Sequence, residues 1–199
     1  MTHIFIETGK RTTSEYVFCK AILTHWGIPP ESYSIQTVGG KDNLPNALPL
    51  FRDNTLQGGK NIILFDADTE SNGGGYTARL NEIRQILDEA DIESEIFLFP
   101  NNSDDGDFET MLEQLVQAER HAPMLGCYRD YELCLPSPYL KPNRKGRLHT
   151  YISSMPMPPK QRKVLGQGEW QFENTEYWNL DDAYLNPLKE FVGKHIATP

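Results

Sequence analysis

The chain has 199 residues, of which 38% are hydrophobic and 11% aromatic, and a formal net charge of −9. That is apolar material enough for a real core; no stretch approaches the roughly 20 apolar residues of a membrane span, and the negative balance argues against a protein that coats nucleic acid by bulk electrostatics. Cys19, Cys127 and Cys134 are odd in number and lack CxxC spacing, and the five histidines are scattered, so neither a disulfide framework nor a structural zinc is expected.

The amino terminus runs directly into Ile4-Phe5-Ile6, with no basic region or long apolar core before it, so a cytoplasmic protein without a signal peptide is expected. His3 to Ile6 predicts a short strand that stops at Glu7-Thr8-Gly9. Thr12-x-x-Glu15 has capping-box form, and Val17, Phe18, Ala21, Ile22 and Trp26 recur at helical spacing until Gly27 and Pro29-Pro30 end the segment. Ser34 to Val38 predicts a second strand, closed by Gly39-Gly40-Lys41-Asp42. The helical stretch that follows to Phe51 is weakened by Pro45 and Pro49.

Asn61-Ile62-Ile63-Leu64-Phe65 is an almost wholly apolar run that ends in Asp66-Ala67-Asp68, the pattern of a strand covered on both faces. Ligands of such sheets sit beyond the carboxyl ends of the strands, so the two aspartates are candidate site residues. As plain structure they would cap the next helix or form an Asx-turn. Gly73-Gly74-Gly75 reads as a turn into a helix with Leu80, Ile83, Ile86 and Leu87 on one face. Glu95 to Phe99 is a fourth strand, followed by polar residues 101–106 and a helix bearing Phe108, Met111, Leu112, Leu115 and Val116. Beyond Ala118 the alternation stops. Residues to Leu135 read as helix, prolines 136, 138 and 142 break the chain, and Arg147 to Met155 predicts another short helix. After the loop of Pro156, Pro158 and Pro159, the last segment places Leu180, Tyr184, Leu185, Leu188, Phe191 and Val192 on one face.

Strands alternating with helices predict an α/β fold: a Rossmann-like parallel four-stranded sheet flanked by helices over residues 1–118, with a mainly helical extension over 119–199 packing back on it. Charge is divided along the chain. Asp66 to Glu113 holds fourteen acidic and two basic side chains, whereas Lys141 to Lys163 holds seven basic residues and no acid. An acidic centre beside a basic arm fits a cation site with a surface for an anionic substrate. All polar strand ends should meet on one sheet edge, bringing Glu7, residues 39–42, Asp66, Asp68 and residues 101–109 together. Clustered carboxylates raise each other's pKa unless a hard cation neutralises them, and Mg²⁺ suits oxygen ligands and phosphate-bearing substrates. Replacing Asp66 or Asp68 by Asn should then relieve repulsion at little cost in stability.

Glu7 with Gly9 behind it after the first strand, and Asp66-x-Asp68 after the third, resembles the Toprim domain of topoisomerases, primases and overcoming-lysogenization-defect nucleases, from Met1 to about Leu115. Phe99-Pro100-Asn101-Asn102, the Gly106 to Leu112 stretch, Trp178-Asn179-Leu180 and Leu188-Lys189-Glu190-Phe191 are similar to the Toprim-related DUF3226 family. The resemblance implies a Mg²⁺- or Mn²⁺-dependent phosphoryl-transfer site acting on nucleic-acid phosphodiesters. It implies Glu7 as general acid/base and metal ligand, Asp66 and Asp68 as metal ligands, Glu109 as ligand of a second metal and Lys145 as a catalytic charge. Lys10, Lys41, Arg144, Arg147 and Lys163 are the candidate phosphate contacts of a nucleic-acid partner, and a homodimer is admissible.

Thr8 separates Glu7 from Gly9, and Lys10-Arg11 follow, where Toprim nucleases carry Glu-Gly and a further acid. A non-catalytic nucleic-acid or protein-binding module on a degenerate version of the fold therefore stays open. So does a phosphatase of the haloacid-dehalogenase type, because Phe65-Asp66-Ala67-Asp68-Thr69 matches DxDxT, although that motif belongs on a first strand and here lies on the third. Gly73-x-Gly75-x-x-Ala78 only superficially matches a dinucleotide loop, and no GxxxxGK[ST] is present.

Overall fold

A computed structural model describes residues 1–196; the last three residues of the expected extension, 197–199, lie outside it. Four strands, β1 (Thr2–Ile6), β2 (Tyr33–Thr37), β3 (Lys60–Asp66) and β4 (Glu95–Phe99), form one parallel sheet in the order β2-β1-β3-β4. Between them run α1 (Ser14–His25), α2 (Leu44–Leu56) and α3 (Tyr76–Glu89), and α4 (Phe108–Leu115) follows the last strand. The rest is α5 (Ala122–Cys134), α6 (Arg144–Ser153), the single turn α7 (Pro159–Arg162) and α8 (Asn186–His195). The expected α/β architecture is therefore the observed one.

Both faces of the sheet are covered, which is why β1 and β3 read as continuous apolar runs rather than alternating ones. Ile4, Ile6, Ile62, Leu64, Phe97 and Phe99 point into a core with α1 and α4, while Phe5, Ile63, Phe65 and Leu98 point into a second core with α2 and α3. α2 survives Pro49 because burial outweighs propensity. Leu44, Ala47 and Phe51 are buried, Phe51 stacks on Phe5 at 3.5 Å between ring centroids, and Asn61 Nδ2 donates to the Phe51 carbonyl. α1 starts differently from the sequence reading. Its N-cap is Thr13, whose hydroxyl accepts from the Tyr16 N–H, and the Thr12–Glu15 box does not form because the Glu15 carboxylate turns to the backbone of Glu7.

The first core continues past Ala118. Leu148, Tyr151, Ile152, Trp170, Phe172, Trp178, Leu185, Leu188 and Val192 belong to the same buried cluster as the strand residues. Trp178 is its centre: the indole is fully buried, lies parallel to Trp170 and donates to the Trp170 carbonyl at 2.9 Å. Its backbone bridges to Val116, and the next residue, Asn179, donates from its backbone to the Leu115 carbonyl at 2.7 Å. Phe172 in turn packs edge-on against Phe18 of α1. Trp178→Ala should therefore cost about 3–5 kcal/mol. Because the cluster is shared, urea melts followed by tryptophan emission and by far-ultraviolet dichroism should shift together; a shift confined to one signal would show that the two parts fold separately.

Candidate active site

The chain order reverses at β1. From β1 the connection passes through α1 on one face of the sheet, whereas from the adjacent β3 it passes through α3 on the other. A crevice opens at such a switch point, beyond the carboxyl ends of the strands. Glu7 is the first residue past β1 and Asp66 the last of β3, so strand geometry alone puts one carboxylate on each lip.

They are joined through the backbone. Glu7 Oε2 accepts the Asp66 N–H at 3.2 Å, while the Glu7 N–H donates to Glu15 Oε1 at 3.1 Å. Asp66 Oδ1 accepts the Phe108 N–H at 2.8 Å, so Asp66 does help cap a helix, supplementing the Asp107 N-cap of α4 across the crevice rather than capping the helix that follows it in sequence. Residues 39–42 fold over the same edge, with the Gly39 and Gly40 N–H groups donating to the Glu7 carbonyl.

Burial and like charge act together here. Asp66 is pushed well above the usual carboxylate range by burial, with Glu15, Glu7 and Glu109 repelling its charge. Glu15 is raised to about 8 by burial and the nearby Glu7 charge. Burial raises Glu7 as well, opposed by the hydrogen bond from Asp66.

Asp68 lies near enough to repel the Glu7 charge, but its carboxylate is committed elsewhere. Its backbone sits in the left-handed region, with φ 60°, and its carbonyl accepts the Gly106 N–H at 2.7 Å. A Cβ at Gly74 would lie 2.5 Å from Asp68 Cβ, so Gly74 is there for close approach, while Gly73 and Gly75 take positive φ. Asp68 Oδ2 receives Arg79 of α3 at 2.7 Å, and Arg79, only 1% exposed, also pairs with Glu82. Lys41 completes a chain of alternating charge, 3.4 Å from Glu82 and 2.6 Å from Asp42.

The basic start of α6 lies on α4. Lys145 pairs with Glu109 at 3.0 Å, and Arg144 reaches Glu113 at 2.8 Å and Asp107 at 3.2 Å. Arg147 faces Glu132 of α5 at 3.7 Å, and Lys10 and Lys163 are exposed. The fold thus joins Glu7 to Asp66 directly, with Glu109 close enough to act on Asp66 and Lys145 on Glu109. Lys41 meets Glu7 through its backbone while its side chain goes to Glu82 and Asp42, and Arg144 braces α4. Among the described residues, no group of three or more His, Cys, Asp or Glu side chains is disposed to hold a metal ion.

Three site residues escape sequence reasoning. Glu15 looks like a capping residue. Gly74 looks like any loop glycine. Arg79 had a readable signal: with Ile83 and Leu87 it repeats every four residues, which places a charge on the apolar face of α3.

The structure separates the two aspartates that the sequence treats alike. Asp66→Asn keeps the oxygen that helps cap α4 and removes a repelled charge, so the urea midpoint should hold or rise. Asp68→Asn strips a buried guanidinium of one of its two carboxylates and should cost about 3 kcal/mol. Equal midpoints for both variants would contradict these placements. A carboxyl raised in the folded state contributes stability that is complete below its unfolded value, here 4.5 for Glu15, and is lost as pH rises through the folded value of about 8. In metal-free buffer the melting temperature should therefore fall between about pH 5 and about pH 8, with a shallower fall for Glu15→Gln; superimposable pH profiles for the variant and the parent would refute the assignment.

Comparison with known proteins adds the family. A search of curated proteins finds no match to the chain, and a search of solved structures finds none. A scan against protein families matches residues 12–195, most of the chain, to the family described as protein of unknown function (DUF3226). With the match running from before α1 to the end of α8, the chain belongs to that family.

Proposed function

We propose that this chain is a Mg²⁺- or Mn²⁺-dependent phosphoryl-transfer protein of Toprim type, a nuclease acting on nucleic-acid phosphodiesters. One observation carries the reading: Glu7 and Asp66 meet at the switch-point crevice, hydrogen-bonded through the Asp66 N–H, in a group of carboxylates whose burial and mutual repulsion favour either a proton or a cation. The oxygen-only donors suit a hard ion. Mg²⁺ usually keeps several waters and binds through one or two carboxylates plus substrate phosphates, a role for which Glu7 and Asp66 suffice.

Glu7 and Asp66 would hold the ion. When bound, it would polarise a phosphoryl oxygen and make a coordinated water more acidic. Glu7, at the lip of the crevice beside the ion, would be placed to exchange a proton with the attacking or leaving oxygen. Lys145 is 66% exposed and balances Glu109, so its ammonium is available to charge developing on the phosphate. Asp68 and Glu109 are already neutralised by Arg79 and Lys145, and they support the site rather than form a second cage. That same neutralisation favours the second reading, a nucleic-acid-binding module on a degenerate fold.

The two readings separate in one experiment. Labelled DNA and RNA, single-stranded and duplex, are incubated with the protein in EDTA, Mg²⁺ or Mn²⁺. Cleavage should need the metal, and Glu7→Gln and Asp66→Asn should each lower it about a hundredfold or more. Calorimetric titration should show Mg²⁺ binding that both variants lose. Nucleic-acid binding without metal binding or cleavage would establish the second reading instead, and turnover of a generic phosphate monoester alone would point to a phosphatase.

A further inference from the structure

Four of the seven large, exposed hydrophobic side chains among the described residues lie in one short stretch. Tyr131 and Leu133 at the end of α5, and Tyr139 and Leu140 beyond it, are 49%, 71%, 68% and 91% exposed. α5 touches the core through Met124 and Leu125 in its first turn, and its far end, with Tyr131 and Leu133, stays exposed. The Tyr131 ring is stacked on Tyr128, with centroids 6.0 Å apart and planes 25° from parallel, which holds it as a plate. Basic residues run on from there. From Pro136 to Lys163 the chain has seven Lys and Arg and no acid. Lys141 is exposed, and Lys145 reaches back to Glu109 beside Asp66. On the α5 side the exposed Asp130 is offset by the exposed Arg129, and Glu132 faces Arg147.

We infer that Tyr131 to Lys145 form a platform for single-stranded nucleic acid, leading the strand toward the Glu7–Asp66 crevice; the substrate class rests on the phosphodiester reading above. Exposed aromatic rings that run into exposed cations are what a single strand needs, because each unpaired base offers a flat face to stack on while the phosphates follow the positive charge. A duplex hides those faces. A second copy of the chain would cover the apolar side chains, whereas a single strand would stack on the two tyrosines and also meet the exposed Lys141 and Lys145 with its phosphates.

Binding to the full chain is measured by fluorescence anisotropy in EDTA at several salt concentrations. The probes are a labelled oligothymidylate, an abasic oligomer of equal length and a duplex of equal length. The oligothymidylate should bind about tenfold or more tighter than the abasic strand, which has the same charge and no bases. Combining Tyr131→Ala with Tyr139→Ala should bring it to the abasic level with the salt slope unchanged. Lys141→Gln with Lys145→Gln should instead reduce the slope by about 0.7 for each phosphate that the variant no longer neutralises. Equal affinity for thymidylate and abasic strands, or no effect of the tyrosine pair, would overturn the platform. So would a dimer in sedimentation that Leu140→Ser dissolves, since the patch would then serve a second copy. Because metal is absent, the two proposals fail separately: stacking-dependent binding without metal-dependent cleavage defeats only the catalytic reading, and cleavage without base-dependent binding defeats only the platform.

Discussion

The hydrogen bond from the Asp66 backbone to the Glu7 carboxylate is the contact on which the arrangement depends. It ties the ends of β1 and β3 across the crevice and brings two carboxylates to one place in a setting that disfavours their charge. Asp66 then helps cap α4, Glu15 closes on the Glu7 backbone, and the approach of Glu109 follows from the position of α4. Each added acid raises the cost of ionising the others, so the edge of the sheet stores an electrostatic demand for protons or cations.

Around this centre the fold supplies fixed cations at defined positions. Arg79 is brought in from below by α3 and is committed to Asp68 and Glu82. Lys145 and Arg144 come from the start of α6 and sit on the acidic side of α4. The difference is exposure. Arg79 is sealed in and acts as structure, whereas the Lys145 ammonium remains open to solvent and to an anion. This division explains why Asp66 and Asp68, alike in sequence, should behave differently when neutralised.

The carboxy-terminal segments are part of what places α6. Tyr151 packs edge-on against Trp178, and Trp178 is joined by its backbone to the end of α4. The aromatic cluster of Trp170, Phe172 and Trp178 therefore holds together the helix that bears Lys145 and the helix that bears Glu109.

The four parallel strands, the two-faced core and the identity of Glu7 and Asp66 as strand-end carboxylates could be read from the chain, because apolar run length and its polar stops are local properties, whereas the strand order β2-β1-β3-β4 could not. The parallel sheet then required only the short connections and the handedness of its crossovers. What tertiary structure decided are the partnerships. Whether Glu15 caps its own helix or reaches the backbone of Glu7, whether Asp66 caps the helix after it or α4, and whether Asp68 is open or taken by Arg79 depend on groups far apart in sequence. Their distances are set by packing, and buried charges settle on whichever partner packing brings within reach.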